Sequence, residues 1–490
     1  MPFASPHSLV SPYVTNLDGN VFALKNLPEE VVSFLFARYS RSPLSLRDDL
    51  ANMLTDEATE GLIAPATASV TSNLTNKAAA FADKWIVGYG HSSVSEHSVL
   101  HLAIENVSMI VSKMIEDARL ASYTEKSTRY VAFDENSVVV PTSFEVSGHA
   151  VYYRTAVAHL MQAYTGWLDE FVARIKEQAP KKPKQTDKGY ETSCRATAFD
   201  SLRYLLPSGT TTNIGLTINA RSLAHLIRKL RSSGLAEAVS VADQLQTEGS
   251  KIVPTLLKHT EAVPYLAELA AWREQSLWGG EGAFRDFPRA NTARIVWPCI
   301  DHVDNVEDAL MHGFPYPPTS LDSFLEKLLG GRGKHDAAPR ELERISVTFA
   351  LTMDFGAYRD IQRHRMATQV VGPVSLKYGY SVPRGIEEFG FLDRYEALME
   401  EVAAIYKVLH AVSPTEAQYV LPMAHRVPVY FTANLRELFH LIELRTGRQG
   451  HYSYREIAQQ MYTELSKVYP YLTKYIRVDL ADYALTRDEK

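Results

Sequence analysis

A chain of 490 residues exceeds the about 50–250 residues of a usual domain, and with 46% apolar and 22% charged residues it has the composition of a globular protein. Its formal net charge of −6 gives no basic field for a nucleic-acid backbone, so an anionic partner must be met at a local site. Two cysteines, Cys194 and Cys299, exclude a disulfide framework and a cysteine zinc site, and no His and carboxylate positions carry metal-ligand spacing. The N-terminus lacks a basic stretch followed by an apolar one, and no apolar run reaches spanning length. The expectation is a cytoplasmic protein with neither a membrane nor a nucleic-acid partner.

Apolar spacing places the elements. Residues 28–40 read as a helix. After Gly88-Tyr89-Gly90-His91-Ser92-Ser93-Val94-Ser95-Glu96-His97, the residues Leu102, Ile104, Val107, Ile110, Val111, Met114 and Ile115 recur at three and four. That spacing predicts one long helix over about 98–122, delivering the polar stretch 119–130 at its C-terminal end. The run 177–189, with Pro-Lys-Lys-Pro-Lys at its centre, predicts an exposed loop. A second helix covers 219–227, a Gly- and Pro-containing linker about 279–292, and a strand 293–297. A second polar helix end follows at Gln362-Arg363-His364-Arg365-Met366-Ala367-Thr368.

The most informative feature is an internal repeat. Leu206-Pro207 and Asn219, Arg221, Leu223 and His225 recur as Leu421-Pro422 and Asn434, Arg436, Leu438 and His440, each pair 215 positions apart. Ala121-Ser122 recurs as Ala367-Thr368, 246 positions on; Glu96 and Ala103 are seven apart, as are Glu343 and Ala350. The polar loop near 180–188 lies in the interval where the first half carries its extra residues. An ordered series of this kind is the mark of a duplication. We expect an α+β fold in two tandem copies, 1–275 and 293–490, joined by 276–292, each mainly helical with a small antiparallel sheet.

The motifs resemble those of the flavin-dependent thymidylate synthases, which carry Gly-His-x-Ser-x-x-Glu-His, an Arg-His-Arg followed by a serine loop and Arg-Tyr, and an Asn-x-Arg-x-Leu helix ending in Leu-Arg. His91, Ser93, Glu96 and His97 match the first motif. Arg119, Ser122, Glu125, Ser127, Arg129 and Tyr130 match the second, although Arg-His-Arg has become Asp117-Ala118-Arg119. Copy two keeps Arg363-His364-Arg365 and loses the serine loop to Val370-Val371-Gly372-Pro373; Arg344 stands where copy one has His97. The two losses are complementary.

The resemblance implies a homotetramer-like arrangement with sites between subunits, here met by a homodimer of duplicated chains. It implies FAD as cofactor, methylenetetrahydrofolate as the folate carbon donor, NADPH as reductant and a uracil nucleotide as substrate. It places Arg445 and His91 in catalysis. Arg119, Glu125, Ser127, Arg129, Arg203 and Arg231 fall on substrate-binding positions. Ser93, Arg363, His364, Arg365, Asn434, Arg436, His440, Asn219, Arg221 and His225 fall on cofactor-binding ones. The reaction implied is C5 methylation of dUMP to dTMP, with the same chemistry on UMP or another uracil nucleotide, or a non-catalytic flavin- and nucleotide-binding descendant, as alternatives.

The residues bear this out in outline. Arginine forks match phosphate and serine hydroxyls add neutral donors, so Ser127 and Arg129 form a reasonable clamp. An arginine about 4 Å from a pyrimidine carbonyl or N3 contributes roughly 4 kcal/mol at an effective dielectric near 20, enough to activate C5 without an enzyme nucleophile. Cys194, in Thr-Ser-Cys-Arg-Ala-Thr, has no base partner and reads as a core residue. Consecutive residues on a helix point about 100° apart, so Arg363, His364 and Arg365 cannot all face one ligand. His225 and His440 sit in apolar helices, where a histidine is commonly structural, and the cluster His451, Tyr452, Tyr454 and Arg455 suits an interface as well as a site.

Overall fold

The computed structural model describes residues 9–18, 20, 22–39, 42–55, 92–128, 133–183, 185–279, 287–299 and 321–483. The main elements in chain order are α1 (Glu29–Tyr39), α2 (Leu46–Thr55), β1 (Val99–Ser108), α3 (Met109–Glu116), β2 (Ala121–Glu125), α4 (Ala150–Gly166), α5 (Leu168–Gln178) and α6 (Asp187–Leu202). There follow β3 (Thr211–Asn219), α7 (Ala220–Arg231), α8 (Ala236–Ile252), α9 (Pro264–Arg273), β4 (Thr292–Cys299), β5 (Ser346–Asp354) and α10 (Phe355–Ile361). The chain closes with β6 (Thr368–Val371), α11 (Leu392–Val412), β7 (Arg426–Asn434), α12 (Leu435–Arg445) and α13 (Tyr452–Val468). Two compact units result, one from residues 1–105, 120–125 and 213–270, the other from 106–119, 126–212 and 271–490.

The first unit holds a three-stranded sheet in the order β1-β3-β2, with β2 and β3 antiparallel from Ala121↔Ile218 to Glu125↔Ile214. Helix α7 follows β3 directly because the Asn219 side chain accepts from the Ser222 amide at 2.8 Å, satisfying a donor that has no partner inside the helix. Its Leu223, Leu226, Ile227 and Leu230 are buried on one face.

The expected helix over 98–122 is corrected here: its first half is strand β1, and only Met109–Glu116 is helical. Leu100 and Ile104 face inward at even spacing, as a strand requires. Asn106 then takes a left-handed φ of 55°, which breaks the alternation and lets Val107 face inward as well. The resulting three-residue step from Ile104 to Val107 mimics a helical period.

The second unit is built on a four-stranded antiparallel sheet ordered β4-β5-β7-β6. Alternate residues Val347, Phe349, Leu351 and Met353 on β5 and Val427, Val429, Phe431 and Ala433 on β7 are buried. Trp278 and Phe287, in the stretch expected to be a linker, are also buried; Trp278 stacks on Tyr430 with ring centroids 5.8 Å apart.

The two halves repeat one element order, with β1, α3, β2, β3 and α7 answered by β5, α10, β6, β7 and α12. The strand registers fix the equivalence, since Ser122 pairs with Thr217 as Thr368 pairs with Thr432. Caps agree as well: Ser108 caps α3 as Asp354 caps α10, and Asn219 caps α7 as Asn434 caps α12. Within the second unit the repeated Leu-Pro segments meet each other. Ser208 N donates to Leu421 O at 2.8 Å and Met423 N to Leu206 O at 2.9 Å; Gly209 N donates to Tyr419 O at 2.8 Å and Ala424 N to Tyr204 O at 3.2 Å. Each bond is the other's counterpart after a shift of 215 residues, so a local two-fold axis passes between Pro207 and Pro422, of the kind that relates two subunits of an isologous dimer.

Candidate active site

The polar turn after α10 lies against the last turn of α12. His364 is 4% exposed, and its Nδ1 is 2.7 Å from Glu437 Oε1. Its Nε2 receives a hydrogen bond from Arg445 Nε at 2.9 Å. A guanidinium can only donate, so Nε2 carries the lone pair and Nδ1 the proton, which it donates to Glu437. Burial, followed by the charge of Arg445, lowers the His364 pKa below its usual value, although Glu437 opposes the shift; the ring is neutral at pH 7. Arg445 is further bracketed by Asp360, 3.9 Å from its Nη1, and lies over the Tyr454 ring at 5.5 Å. The imidazole thus bridges a carboxylate and a guanidinium at the end of a helix, and both hydrogen bonds agree with the Nδ1–H tautomer.

Beside this trio is a cleft of about 220 Å³ lined by residues including Met366, Asn434, Arg436, Glu437 and His440. Arg436 is already committed, donating to Ala338 O and to Glu343 Oε1, each at 2.7 Å. The lining carries Asp336, Glu343, Glu437 and Glu443 against Arg332 and Arg436, which pair with Glu443 and Glu343, so the cleft is acidic on balance. Asn434 spends its side-chain oxygen on the Glu437 amide at 2.9 Å, and His440 is exposed with its ring 5.6 Å from that of His364.

Arg363, His364 and Arg365 point in different directions, as consecutive residues must. Arg363 is exposed, 3.9 Å from Asp360 and beyond hydrogen-bond range; His364 is buried; Arg365 is half-buried. Arg119 reaches the same neighbourhood, donating from Nη2 to Thr368 Oγ1 at 3.1 Å. Gln362 donates to Lys113 O at 2.7 Å, tying the turn to the end of α3. Of the residues expected on the substrate side, Ser127 is half-buried in the second unit, and Glu125 sits on β2 in the first. His91 and Arg129 lie outside the described residues.

Arg203 is 3% exposed, and its Nε and Nη2 make no hydrogen bond. Burial works against its charge, but the surrounding Tyr204, Asp200, Asp360 and Asp354 prevail and raise its pKa. Other expected site residues fall in the first unit and are largely occupied there. Arg231 donates to Asp243 Oδ1 and to Thr260, and Arg221 pairs with Glu96 at 2.5 Å. Asn219 is the helix cap already described, His225 is exposed on α7, and Ser93 lies in the 3₁₀ turn Ser92–His97. Cys194 is buried and its thiol pKa is pushed up by burial, as expected of a core residue.

Sequence reasoning missed Glu437. It stands three residues after the Asn434 cap, the spacing of a capping box, and so reads as a helix-start signal; its side chain instead turns to His364. A buried polar network was missed as well. Asp354 Oδ2 accepts from Ser453 Oγ and, at 3.3 Å, from Asn291 Nδ2; Asn291 Oδ1 accepts from Ser381 Oγ and Arg426 Nε, both at 3.1 Å. The signal available was Ser453 beside the aromatic cluster 451–455.

A duplicated α+β chain with an oriented arginine at the end of α12 defines a class, and the comparisons name it. The family described as thymidylate synthase complementing protein matches residues 32–255 and 290–471. The chain belongs to that family, as two tandem copies. A UPF0159 protein of Chlamydia muridarum (strain MoPn / Nigg) is 33% identical, covering 97% of this chain and 95% of the relative. The UPF0159 protein Ta1429 of Thermoplasma acidophilum is 30% identical over 81% of this chain and 88% of its own length. A flavin-dependent thymidylate synthase of Clostridium tetani is 26% identical over 36% of this chain and 68% of its own length.

Proposed function

We propose that the chain methylates C5 of a uracil nucleotide, most simply dUMP to dTMP, with FAD as its redox cofactor and methylenetetrahydrofolate and NADPH as co-substrates. The observation that carries this reading is Arg445, a guanidinium fixed 2.9 Å from an imidazole whose carboxylate partner, Glu437, lines a cleft, in a chain of this family. Such a donor placed against a pyrimidine carbonyl or N3 stabilises the charge that develops as C5 becomes nucleophilic, by roughly 4 kcal/mol at about 4 Å and a dielectric near 20. The buried thiol of Cys194, with its raised pKa, supports a route without an enzyme nucleophile.

The donor set suits FAD when its parts are considered separately. The acidic cleft opposes a diphosphate and accepts a neutral ring edge, while exposed Arg363 and half-buried Arg365 outside it suit the diphosphate. Bound and reduced, FAD would supply the hydride that turns a transferred methylene into methyl. The chain's own part is to hold and polarise. Arg119, Glu125, Ser127, Arg129 and Arg203 would hold the nucleotide, copy two would hold the flavin, and a homodimer in the cytoplasm would complete the sites. UMP or another uracil nucleotide would serve the same geometry.

Growth of a thymidine-requiring strain carrying this chain tests the reading. Rescue supports dUMP methylation; a folded, FAD-loaded protein that fails to rescue and makes no methylated product from dUMP or UMP supports a flavin- and nucleotide-binding descendant. That second reading draws on copy one, where Ala118, Ser222 and Leu230 occupy the positions of His364, Glu437 and Arg445.

A further inference from the structure

We infer that Glu437 is the positioning residue of the site, setting the His364 tautomer and through it the direction in which Arg445 presents its guanidinium; the inference rests on the proposed role of Arg445. The chain of contacts is short. Glu437 Oε1 takes the Nδ1 proton of His364 at 2.7 Å, which leaves Nε2 as the acceptor for Arg445 Nε at 2.9 Å. Were the ring protonated on Nε2, two N–H groups would face each other and Arg445 would have to turn away. Both ring nitrogens are used inside the chain and the side chain is 3% exposed, so His364 acts through Arg445 and touches no ligand itself.

The surroundings leave the carboxylate as the selector. Among the described residues, the charged and titratable groups facing His364 and Arg445 are Glu437 and His440 on α12, Asp360 on α10 and Tyr454 on α13; Gln369 donates to the His364 carbonyl at 3.2 Å. Among these Glu437 is the one bonded to the imidazole. Asp360, 3.9 Å from Arg445 Nη1, adds attraction without a hydrogen bond's direction.

The duplication supplies an internal control. The register that equates Ser122 with Thr368 equates His364 with Ala118, and the shared Asn caps equate Glu437 with Ser222 and Arg445 with Leu230. The three residues are present together in copy two and replaced together in copy one. Three side chains serving separate structural purposes would have no reason to be replaced as a set. Copy one instead fills its equivalent helix end with apolar Leu230, which is buried.

The test uses the full chain with Glu437→Gln, and Glu437→Asp in case the first variant folds poorly. With histidine ring nitrogens labelled and His364 assigned by its own substitution, nuclear magnetic resonance should show the Nδ1–H form in the wild type and appearance of the Nε2–H form in Glu437→Gln. This arm is independent of turnover, so it judges the inference even if the proposed reaction fails. In the FAD-loaded enzyme, Glu437→Gln should lower kcat by about 10–100-fold, the usual effect of removing an orienting partner. Glu437→Asp should recover part of that loss. In an Arg445→Ala background, Glu437→Gln should cost nothing further, because its effect passes through Arg445. An Nε2–H ring in the wild type, or an undiminished effect of Glu437→Gln in the absence of Arg445, overturns the inference.

Discussion

Replacing Arg445 by alanine removes the guanidinium and with it the donor to His364 Nε2. Arg445 is 13% exposed at its side chain, in a setting between protein interior and water. At about 4 Å and an effective dielectric near 20, a full charge on a developing pyrimidine anion interacts by roughly 4 kcal/mol, equivalent to about three powers of ten in rate. A lysine at the same position keeps the charge but loses the Nε–H that His364 receives, so Arg445→Lys should fall between the two. The assay is single-turnover conversion of labelled dUMP by FAD-loaded enzyme, with nucleotide binding measured separately by titration. The account expects the loss mainly in the chemical step. Arg445→Ala running within about threefold of wild type, on the same scale that expects about three powers of ten, would refute the electrostatic argument.

Three further outcomes are expected. Arg129→Ala should weaken nucleotide binding and leave flavin bound, while Arg365→Ala should do the reverse; equal loss of one ligand in both would end the division of labour between the copies. His425 is 1% exposed and burial holds its pKa at about 4, below the usual 6.5, so its contribution to stability is full above pH 6.5 and is lost as pH falls toward 4. The loss amounts to about 3 kcal/mol, and urea midpoints at pH 7 and 4 should show a correspondingly smaller pH dependence in His425→Gln. Asp354→Ala removes the cap of α10, whose Ala357 amide it accepts at 2.7 Å, and strips partners from Ser453 and Asn291. Cap loss and stranded polar groups together should cost about 2–4 kcal/mol in a thermal or urea melt.

The parts legible in the sequence were those written in spacing. Constant offsets of 215 and 246 residues located the duplication, and strand registers and paired caps reproduce them. Strand β1 was hidden because one left-handed residue, Asn106, makes its apolar pattern imitate a helix. Trp278 and Phe287 were hidden because a run of glycines and a proline masks two aromatic anchors that packing on Tyr430 and Tyr378 reveals. The polar turn Arg363-His364-Arg365 stood out in the sequence because it is a contiguous motif. Glu437 did not, because 73 residues separate it from His364 and its spacing from Asn434 already had a helix-capping explanation. The commitment of Arg436 to Glu343 and of Arg231 to Asp243 likewise follows from contacts that no local pattern encodes.

C5 methylation itself is read out by incubating the FAD-loaded chain with dUMP, methylenetetrahydrofolate and NADPH and analysing the nucleotide by mass spectrometry. A product methylated at C5 of the pyrimidine is expected, formed in proportion to enzyme and dependent on all three additions. Unchanged dUMP, and unchanged UMP in a parallel reaction, with flavin bound and reduced throughout, would contradict it.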